Sequence, residues 1–186
     1  ASDGKILATA LGRFRVRDFD EPIALYRISA ADFDSDERLP RVRPADSHNL
    51  VRPVTSMVNR VTEQVDLAEM LRPGRVVTLL GPGGAGKTRL SIEVGLKVVE
   101  QWSDGVWFVD LAPLSDGDVV PMAIAKAVNA PSVRGNDAQS DIVAHLAERS
   151  MLLVLDNCEH LIGPVSRLVA VLREQCPRLG VVATSR

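Results

Sequence analysis

The chain of 186 residues carries 24 acidic and 22 basic side chains, so its formal net charge is −2. This balance, without any lysine- or arginine-rich stretch, gives no electrostatic case for nucleic-acid binding, and we expect no direct nucleic-acid contact from this segment. Its two cysteines and three histidines have no disulfide or metal-ligand spacing. No apolar run reaches the ~18 residues that span a bilayer, so we expect a cytoplasmic protein without membrane contact. Because the first residue is alanine, we also expect the chain to be part of a longer protein.

Three zones follow one another along the chain. Residues 1–30 alternate apolar and polar side chains on both sides of an acidic turn with Pro22, which predicts a β-hairpin. Residues 31–53 are rich in Asp, Arg and Pro and lack periodicity, which predicts a linker. Residues 54–186 alternate helical and strand patterns, which predicts one α/β domain.

The predicted elements of the α/β domain alternate in chain order. Strands are predicted over residues 76–80, 106–111, 151–156 and 179–184, the first of them buried on both faces. Helices are predicted over residues 62–71, 89–100, 119–128 and 140–149, the last capped by Ser140, and along the apolar stripe from Val165 to Cys176. This alternation predicts a parallel sheet between two helix layers.

A glycine-rich segment connects the first strand to its helix. Residues 81–88 match the phosphate-binding pattern G-x-x-x-x-G-K-[ST], and the flanking strand and helix argue against a chance glycine turn. Lys87 is expected to reach the β- and γ-phosphates, and the hydroxyl of Thr88 is expected to bind Mg²⁺. Backbone N–H groups facing the phosphates are expected along the whole loop. The predicted phosphate-binding residues are Gly81, Pro82, Gly83, Gly84, Ala85, Gly86, Lys87 and Thr88.

An acidic residue ends the strand over residues 151–156. Ligands bind at the carboxyl ends of strands in open α/β sheets, so Asp156 is predicted to hold Mg²⁺ as a Walker B acid; the alternative is an aspartate that caps the next turn. Its neighbour is Asn157 rather than a second acid. Glu159 is either the base that activates water or a solvated acid at a helix start. Slow hydrolysis is therefore expected.

Arg186 follows the last predicted strand, where a γ-phosphate is expected. An arginine in that place senses or stabilises the phosphate charge, and the alternative is a surface arginine. The spacing alone does not separate these two interpretations. With Arg186, the candidate catalytic residues are Lys87, Asp156, Glu159 and Arg186.

Several segments resemble the STAND class of signal-transduction ATPases, in its NB-ARC-like branch, and most closely those of large bacterial LuxR-type transcriptional regulators. The segments are residues 81–89, residues 152–161 and residues 183–186. The resemblance adds Arg89 to the nucleotide-binding residues. It implies a P-loop NTPase fold that binds ADP at rest and ATP with Mg²⁺ when active, with hydrolysis as a timer.

The segment ahead of the ATPase domain is also similar to this family. Residues 48–60 correspond to a family segment in which Val-Gly-Arg packs by the adenine. The resemblance therefore assigns Val58 and Arg60 to adenine binding. Asn59 and Val61 depart from the usual glycine and glutamate of the family.

Residues 11–28 resemble the closing hairpin of a class III adenylate-cyclase-like domain, a domain that some of these regulators carry. The expected division is therefore a cyclase-like tail over residues 1–30, a linker over residues 31–53 and the ATPase domain over residues 54–186. The family's fifth strand, lid and DNA-binding domain are expected elsewhere in the full protein. Without the fifth strand, self-association through the edge of strand 76–80 is also expected.

Two other functions compete with a nucleotide switch. One is a metabolic P-loop kinase or ATPase, although no acceptor pocket can be recognised in the sequence. The other is an inactive remnant that binds nothing. A GTPase and an ABC transporter ATPase are disfavoured, since the chain has neither an Asn-Lys-x-Asp nor a Leu-Ser-Gly-Gly-Gln segment.

Overall fold

A computed structural model describes residues 7–15, 23–29, 43–44, 47–51, 60–130 and 137–186. By its contacts the chain divides into two units, Ala1–Ser47 and His48–Arg186. The second unit holds the glycine-rich loop and all the helices among the described residues.

The first unit is a small antiparallel sheet. Strand β1 (Leu7–Arg15) pairs with β2 (Ile23–Ser29) on one side and with the short β3 (Arg43–Pro44) on the other. The predicted hairpin strands are confirmed, and the predicted turn with Pro22 falls outside the described residues. Strand β3 lies in the segment predicted as a linker and had no signal in the sequence.

The second unit is a parallel four-stranded sheet with helices on both faces, which confirms the predicted α/β architecture. The strands lie in the order β4-β7-β6-β5 and are β4 (Val76–Leu80), β5 (Val106–Asp110), β6 (Leu152–Asp156) and β7 (Gly180–Ser185). The helices are α1 (Val61–Met70), α2 (Lys87–Val98), α3 (Val120–Ala127), α4 (Ala138–Leu146) and α5 (Ile162–Gln175). None of these described helices is long and apolar enough to cross a bilayer.

Alternate residues of the central strands build two separate cores. In β6, Leu153 and Leu155 pack with the apolar side chains of α3, α4 and α5. Leu152 and Val154 point to the other face and pack with α1 and α2. Every residue of β6 is buried, as expected of a central parallel strand with helices on both faces.

Two predictions about individual residues are wrong. Strand β4 is not buried on both faces: Val76 is 37% exposed and Leu80 is 71% exposed, whereas Val77 and Leu79 on the opposite face pack against the core beside α1 and α2. Among the described residues β4 pairs only with β7 and forms the sheet edge, and the helices leave its Val76 face uncovered. Helix α4 is capped by Asp137, whose carboxylate accepts a hydrogen bond from the Ser140 N–H at 3.3 Å. Asp137 directly precedes the helix, so its carboxylate can accept from the N–H of Ser140, the third helical residue.

The opposite edge of the sheet is covered by residues 48–50, which we call the edge cover. His48 forms a parallel bridge with Val106 of β5. The Asn49 amide donates to the Phe108 carbonyl at 2.8 Å and accepts from the Phe108 N–H at 2.6 Å. Leu50 is buried in the core beside α2, where a methyl group on Gly95 would lie 2.9 Å from Leu50 Cδ1. The edge cover thus belongs to the second unit, although it falls in the segment predicted as a linker.

Candidate functional site

The glycine-rich loop connects β4 with α2. Gly84 and Gly86 have φ angles of 76° and 78°, in the left-handed region that glycine adopts at little cost. Gly86 is also the residue that caps α2, and no side chain takes part in that cap. The first N–H groups of α2 therefore have no partner from a capping side chain, which suits an anion at the helix N-terminus.

Lys87 begins α2 and folds back across the loop. Its Nζ donates to the carbonyl of Gly81 at 2.7 Å and to the carbonyl of Pro82 at 2.9 Å. The ammonium group thus closes the loop on itself. A phosphate placed there would meet a positive charge that is already held inside the loop.

Thr88 and Asp156 lie side by side, although they are 68 positions apart in the sequence. The Thr88 hydroxyl is 2.9 Å and 2.8 Å from the two carboxylate oxygens of Asp156. Asp156 ends β6 and is only 2% exposed, and it also accepts from the Thr184 hydroxyl at 2.6 Å. These hydrogen bonds offset the cost of burying a carboxylate.

The donor set at Thr88 and Asp156 fits Mg²⁺. Hydroxyl and carboxylate oxygens are hard ligands, and Mg²⁺ usually takes only one or two of them from the protein. Among the residues that the structure describes, no group of three or more His, Cys, Asp or Glu side chains is placed to hold a metal. The two protein oxygens at Thr88 and Asp156 suit a metal that takes its other ligands from phosphate and water.

Glu159 and Arg186, the two remaining candidate catalytic residues, form an ion pair. Arg186 Nε lies 3.0 Å from Glu159 Oε1. The same guanidinium lies beside the loop, since a methyl group on Gly83 would be 3.8 Å from it. The Arg186 guanidinium therefore lies between the loop and Glu159. It forms an ion pair with the carboxylate that was predicted as a possible base.

Sequence analysis assigned no role to two polar residues near the strand ends. Asp110 ends β5 and is the register partner of Asp156. Thr184, near the end of β7, donates to Asp156 and accepts from the N–H of Asn157 at 3.0 Å. Their position at the carboxyl ends of predicted strands was the only signal that could have found them.

Asn157 lies between the two strand-end carboxylates. Its Nδ2 donates to Asp110 Oδ1 at 3.1 Å and to Asp156 Oδ2 at 3.0 Å. Its φ of 62° lies in the left-handed region, which asparagine tolerates better than most residues.

The predicted adenine-binding residues are placed in part. Arg60 precedes α1, and its carbonyl accepts from the Gln64 N–H at 3.1 Å. Val58 lies outside the described residues. Arg89 is half-buried in the first turn of α2. The roles assigned to these three residues stay predictions.

Cys158 follows the site directly, and its side chain is buried. Burial raises the pKa of its thiol to about 11, with smaller contributions from neighbouring groups. The thiol therefore stays protonated at neutral pH and donates to the Leu155 carbonyl. A buried thiol that stays protonated is a poor nucleophile.

The chain is similar to mycobacterial proteins. It is 36% identical over 138 residues to an uncharacterized protein of Mycobacterium tuberculosis, a match that covers 74% of this chain and 35% of that protein. It is 42% identical over 117 residues to a second protein of Mycobacterium tuberculosis, provisionally named an HTH-type transcriptional regulator, covering 63% of this chain and 13% of that protein. The chain thus spans about a third or less of the length of these relatives.

Solved structures show the same fold at low sequence identity. Cdc6p from Pyrobaculum aerophilum superposes with a TM-score of 0.56 at 22% identity, covering 73% of this chain and 41% of that one. A structure of Drosophila ORC bound to DNA superposes with a TM-score of 0.51 at 16% identity, covering 68% of this chain and 35% of that one. The second unit therefore has the P-loop NTPase fold. Models of known protein families give no match to this chain.

Proposed function

We propose that this chain is an ATP/ADP-binding switch module of a larger signalling or transcriptional regulator. The observation that carries the proposal is the contact between Thr88 and Asp156. The fold brings the hydroxyl at the start of α2 to the acid at the end of β6, which is the pair of oxygen ligands that a Mg²⁺-nucleotide site needs.

The chain's own residues have separate tasks in this site. Lys87 would transfer its hydrogen bonds from the carbonyls of Gly81 and Pro82 to phosphate oxygens. Thr88 and Asp156 would hold Mg²⁺, which when bound neutralises phosphate charge. The left-handed glycines of the loop allow the backbone to approach the phosphates closely.

Hydrolysis in this site is proposed to be slow. The residue after Asp156 is an asparagine that donates two hydrogen bonds and cannot accept a proton from water. Glu159 does not adjoin Asp156, and one of its two carboxylate oxygens is paired with Arg186. We therefore expect turnover well below the ~10 s⁻¹ median for enzymes.

The setting in a regulator is a proposal that depends on resemblance. One relative is provisionally named an HTH-type transcriptional regulator, and this chain covers 13% of it. We propose that the full protein belongs with the STAND, NB-ARC-like regulators of the LuxR type, with DNA binding by another domain. The cyclase-like tail over residues 1–30 is part of the same proposal.

Calorimetric titration with ADP and a slowly hydrolysed ATP analogue tests the site. Lys87→Ala should weaken binding at least tenfold, because a charge-assisted hydrogen bond contributes about 1.5–3 kcal/mol. Lys126→Ala removes an exposed lysine from α3 and should leave the affinity unchanged. Equal affinities for wild type and a folded Lys87→Ala variant would refute the assignment of the loop.

A second substitution separates the metal from the phosphates. Asp156→Asn should bind nucleotide like wild type in EDTA but lose the gain in affinity that Mg²⁺ brings, since the carboxylate acts through the metal. Asp118→Asn, an exposed aspartate ahead of α3, is the matched control. If Mg²⁺ raises the affinity of wild type and of Asp156→Asn equally, Asp156 is not the metal ligand.

A further inference from the structure

We propose that Asn157 is the positioning residue of this site. Its amide ties the carboxylates of Asp110 and Asp156 together and so sets the direction in which Asp156 faces Thr88. The inference rests on the proposed function, since the Asp156 carboxylate matters only if it serves a Mg²⁺-nucleotide. Asp110 becomes the anchor of this arrangement rather than a second ligand.

The side chain of Asn157 satisfies both carboxylates at once. An amide has two N–H donors on one nitrogen, and Nδ2 lies 3.1 Å from Asp110 Oδ1 and 3.0 Å from Asp156 Oδ2. Two like charges at neighbouring strand ends repel each other. The amide between them replaces part of that repulsion with two hydrogen bonds.

Asp110 is held in place from a second direction. Its Oδ1 also accepts from the Ala112 N–H at 2.9 Å, so the exposed carboxylate is fixed against its own backbone. Asn157 therefore attaches Asp156 to a carboxylate that cannot turn away freely. The Asn157 side chain thus links the carboxylate at the end of β5 to the carboxylate at the end of β6.

The backbone of Asn157 reaches the same carboxylate by another path. Its N–H donates to the Thr184 hydroxyl at 3.0 Å, and that hydroxyl donates to Asp156 Oδ1 at 2.6 Å. The left-handed φ of 62° places side chain and N–H in these two roles. Oδ1 and Oδ2 of Asp156 are each held by a different group, which leaves the carboxylate one orientation toward Thr88.

An acid at position 157 would undo this arrangement. Aspartate is nearly the same size as asparagine, but its carboxylate accepts hydrogen bonds and has no proton to donate at neutral pH. A third negative charge would then face Asp110 and the buried Asp156. We therefore expect Asn157→Asp to weaken the Mg²⁺-dependent binding rather than to create a base.

The experiment separates the role of the Asn157 side-chain amide from that of its backbone N–H. Asn157→Gly keeps the left-handed conformation and the N–H while removing the side chain. Calorimetry with ADP should show unchanged affinity in EDTA and a loss of roughly tenfold or more in the gain brought by Mg²⁺, the usual effect of removing a partner behind a metal ligand. Asn157→Asp should lose at least as much of that gain, without faster phosphate release.

Asp110→Ala, made alone and together with Asn157→Gly, completes a double-mutant cycle. The single Asp110→Ala variant also leaves the left-handed residue 157 unchanged. Asp110→Ala should reduce the Mg²⁺ gain more in the wild-type background than in Asn157→Gly, because the part of its influence that passes through the amide is already lost there. Additive losses, or a loss that is equal in EDTA and in Mg²⁺, would overturn the proposal. So would wild-type behaviour of both single variants, or faster hydrolysis in Asn157→Asp. A wild-type chain whose affinity for nucleotide does not depend on Mg²⁺ would instead overturn the proposed function, and the positioning role with it.

Discussion

The two edges of the parallel sheet are built from similar strands but meet different surroundings. Strand β5 lies at one edge, yet Val106 and Val109 are buried because the edge cover, residues 48–50, and the helices enclose them. Strand β4 lies at the other edge, and Val76 and Leu80 are exposed. Both strands are apolar, so burial at an edge is decided by what lies beside the strand rather than by its own residues.

The edge cover combines two physical devices. Asn49 occupies the hydrogen-bonding groups of Phe108 with a side chain, which ends the ladder without adding a full strand. Leu50 fills a space that exists because α2 carries a glycine at position 95. Among the described residues, β4 has neither device on its free side.

Among the substitutions that test this difference between the two edges, Leu50→Ala should have the largest effect on the free energy of unfolding. Loss of a buried leucine leaves a cavity, and the free energy of unfolding should fall by about 2–5 kcal/mol. Chemical denaturation measures it, with Val51→Ala at the exposed neighbouring position as the control that should change little. A loss no greater than that of the control would show that the edge cover does not stabilise the sheet.

Gly95→Ala should have the next largest effect. The added methyl group would lie 2.9 Å from Leu50 Cδ1 and 3.3 Å from Val106 Cγ1, and such overpacking costs about 1–3 kcal/mol. Gly163→Ala, near the start of α5, meets only Arg167 at 3.5 Å and should not destabilise the chain. In the Leu50→Ala background Gly95→Ala should become neutral or stabilising, and a cost that persists there would place the clash elsewhere.

Asn49→Ala is expected to destabilise less, by about 1 kcal/mol, the usual net value of hydrogen bonds at an exposed site. Hydrogen exchange of the Phe108 amide gives the sharper measurement, since that N–H loses its acceptor. Asn49→Asp keeps an acceptor for the Phe108 N–H but loses the donor to the carbonyl. Its Phe108 amide should therefore exchange more slowly than in Asn49→Ala.

At the open edge we expect the smallest effect on stability and a visible effect on association. An unpaired strand edge is a template for another chain, and a lysine on the edge opposes such pairing. Val76→Lys should lower the self-association of the chain at tens of micromolar, measured by light scattering, while the unfolding midpoint stays nearly constant. Val119→Lys, at 40% exposure against 37% for Val76, is the control. Equal scattering by both variants would place the association on another surface.

Much of the fold could be predicted from sequence because its signals are local. Strand β6 is a run of apolar residues that ends in an acid, and α5 has an apolar stripe of helical spacing. The edge position of β4 could not be predicted from local signals, although the family resemblance, which places a further strand beside residues 76–80, predicted an open edge there. Its five residues are those of a central strand, and only the order of the strands places it at the edge.

The candidate site shows the same limit. Lys87, Thr88 and Asp156 could be predicted because each lies in a short pattern with a known spacing. The hydrogen bonds of Asn157 depend on the register that places Asp110 beside Asp156, and no pattern within either segment reports that register. Asn49 was missed for the same reason, since its partner lies 59 positions away.

The strand order has a consequence for the synthesis of the chain. Of the four strands of the parallel sheet, β4 is synthesised first. Among the described residues its only partner is β7, so Val76 cannot pair with Val181 until β7 has been synthesised. At about 5–20 residues per second, the ribosome needs roughly 5–20 s to make the ~100 residues in between. During that interval the loop that follows β4 has no neighbouring strand to hold it in place. A nascent chain should therefore gain affinity for nucleotide late and abruptly, when β7 closes the gap between β4 and β6.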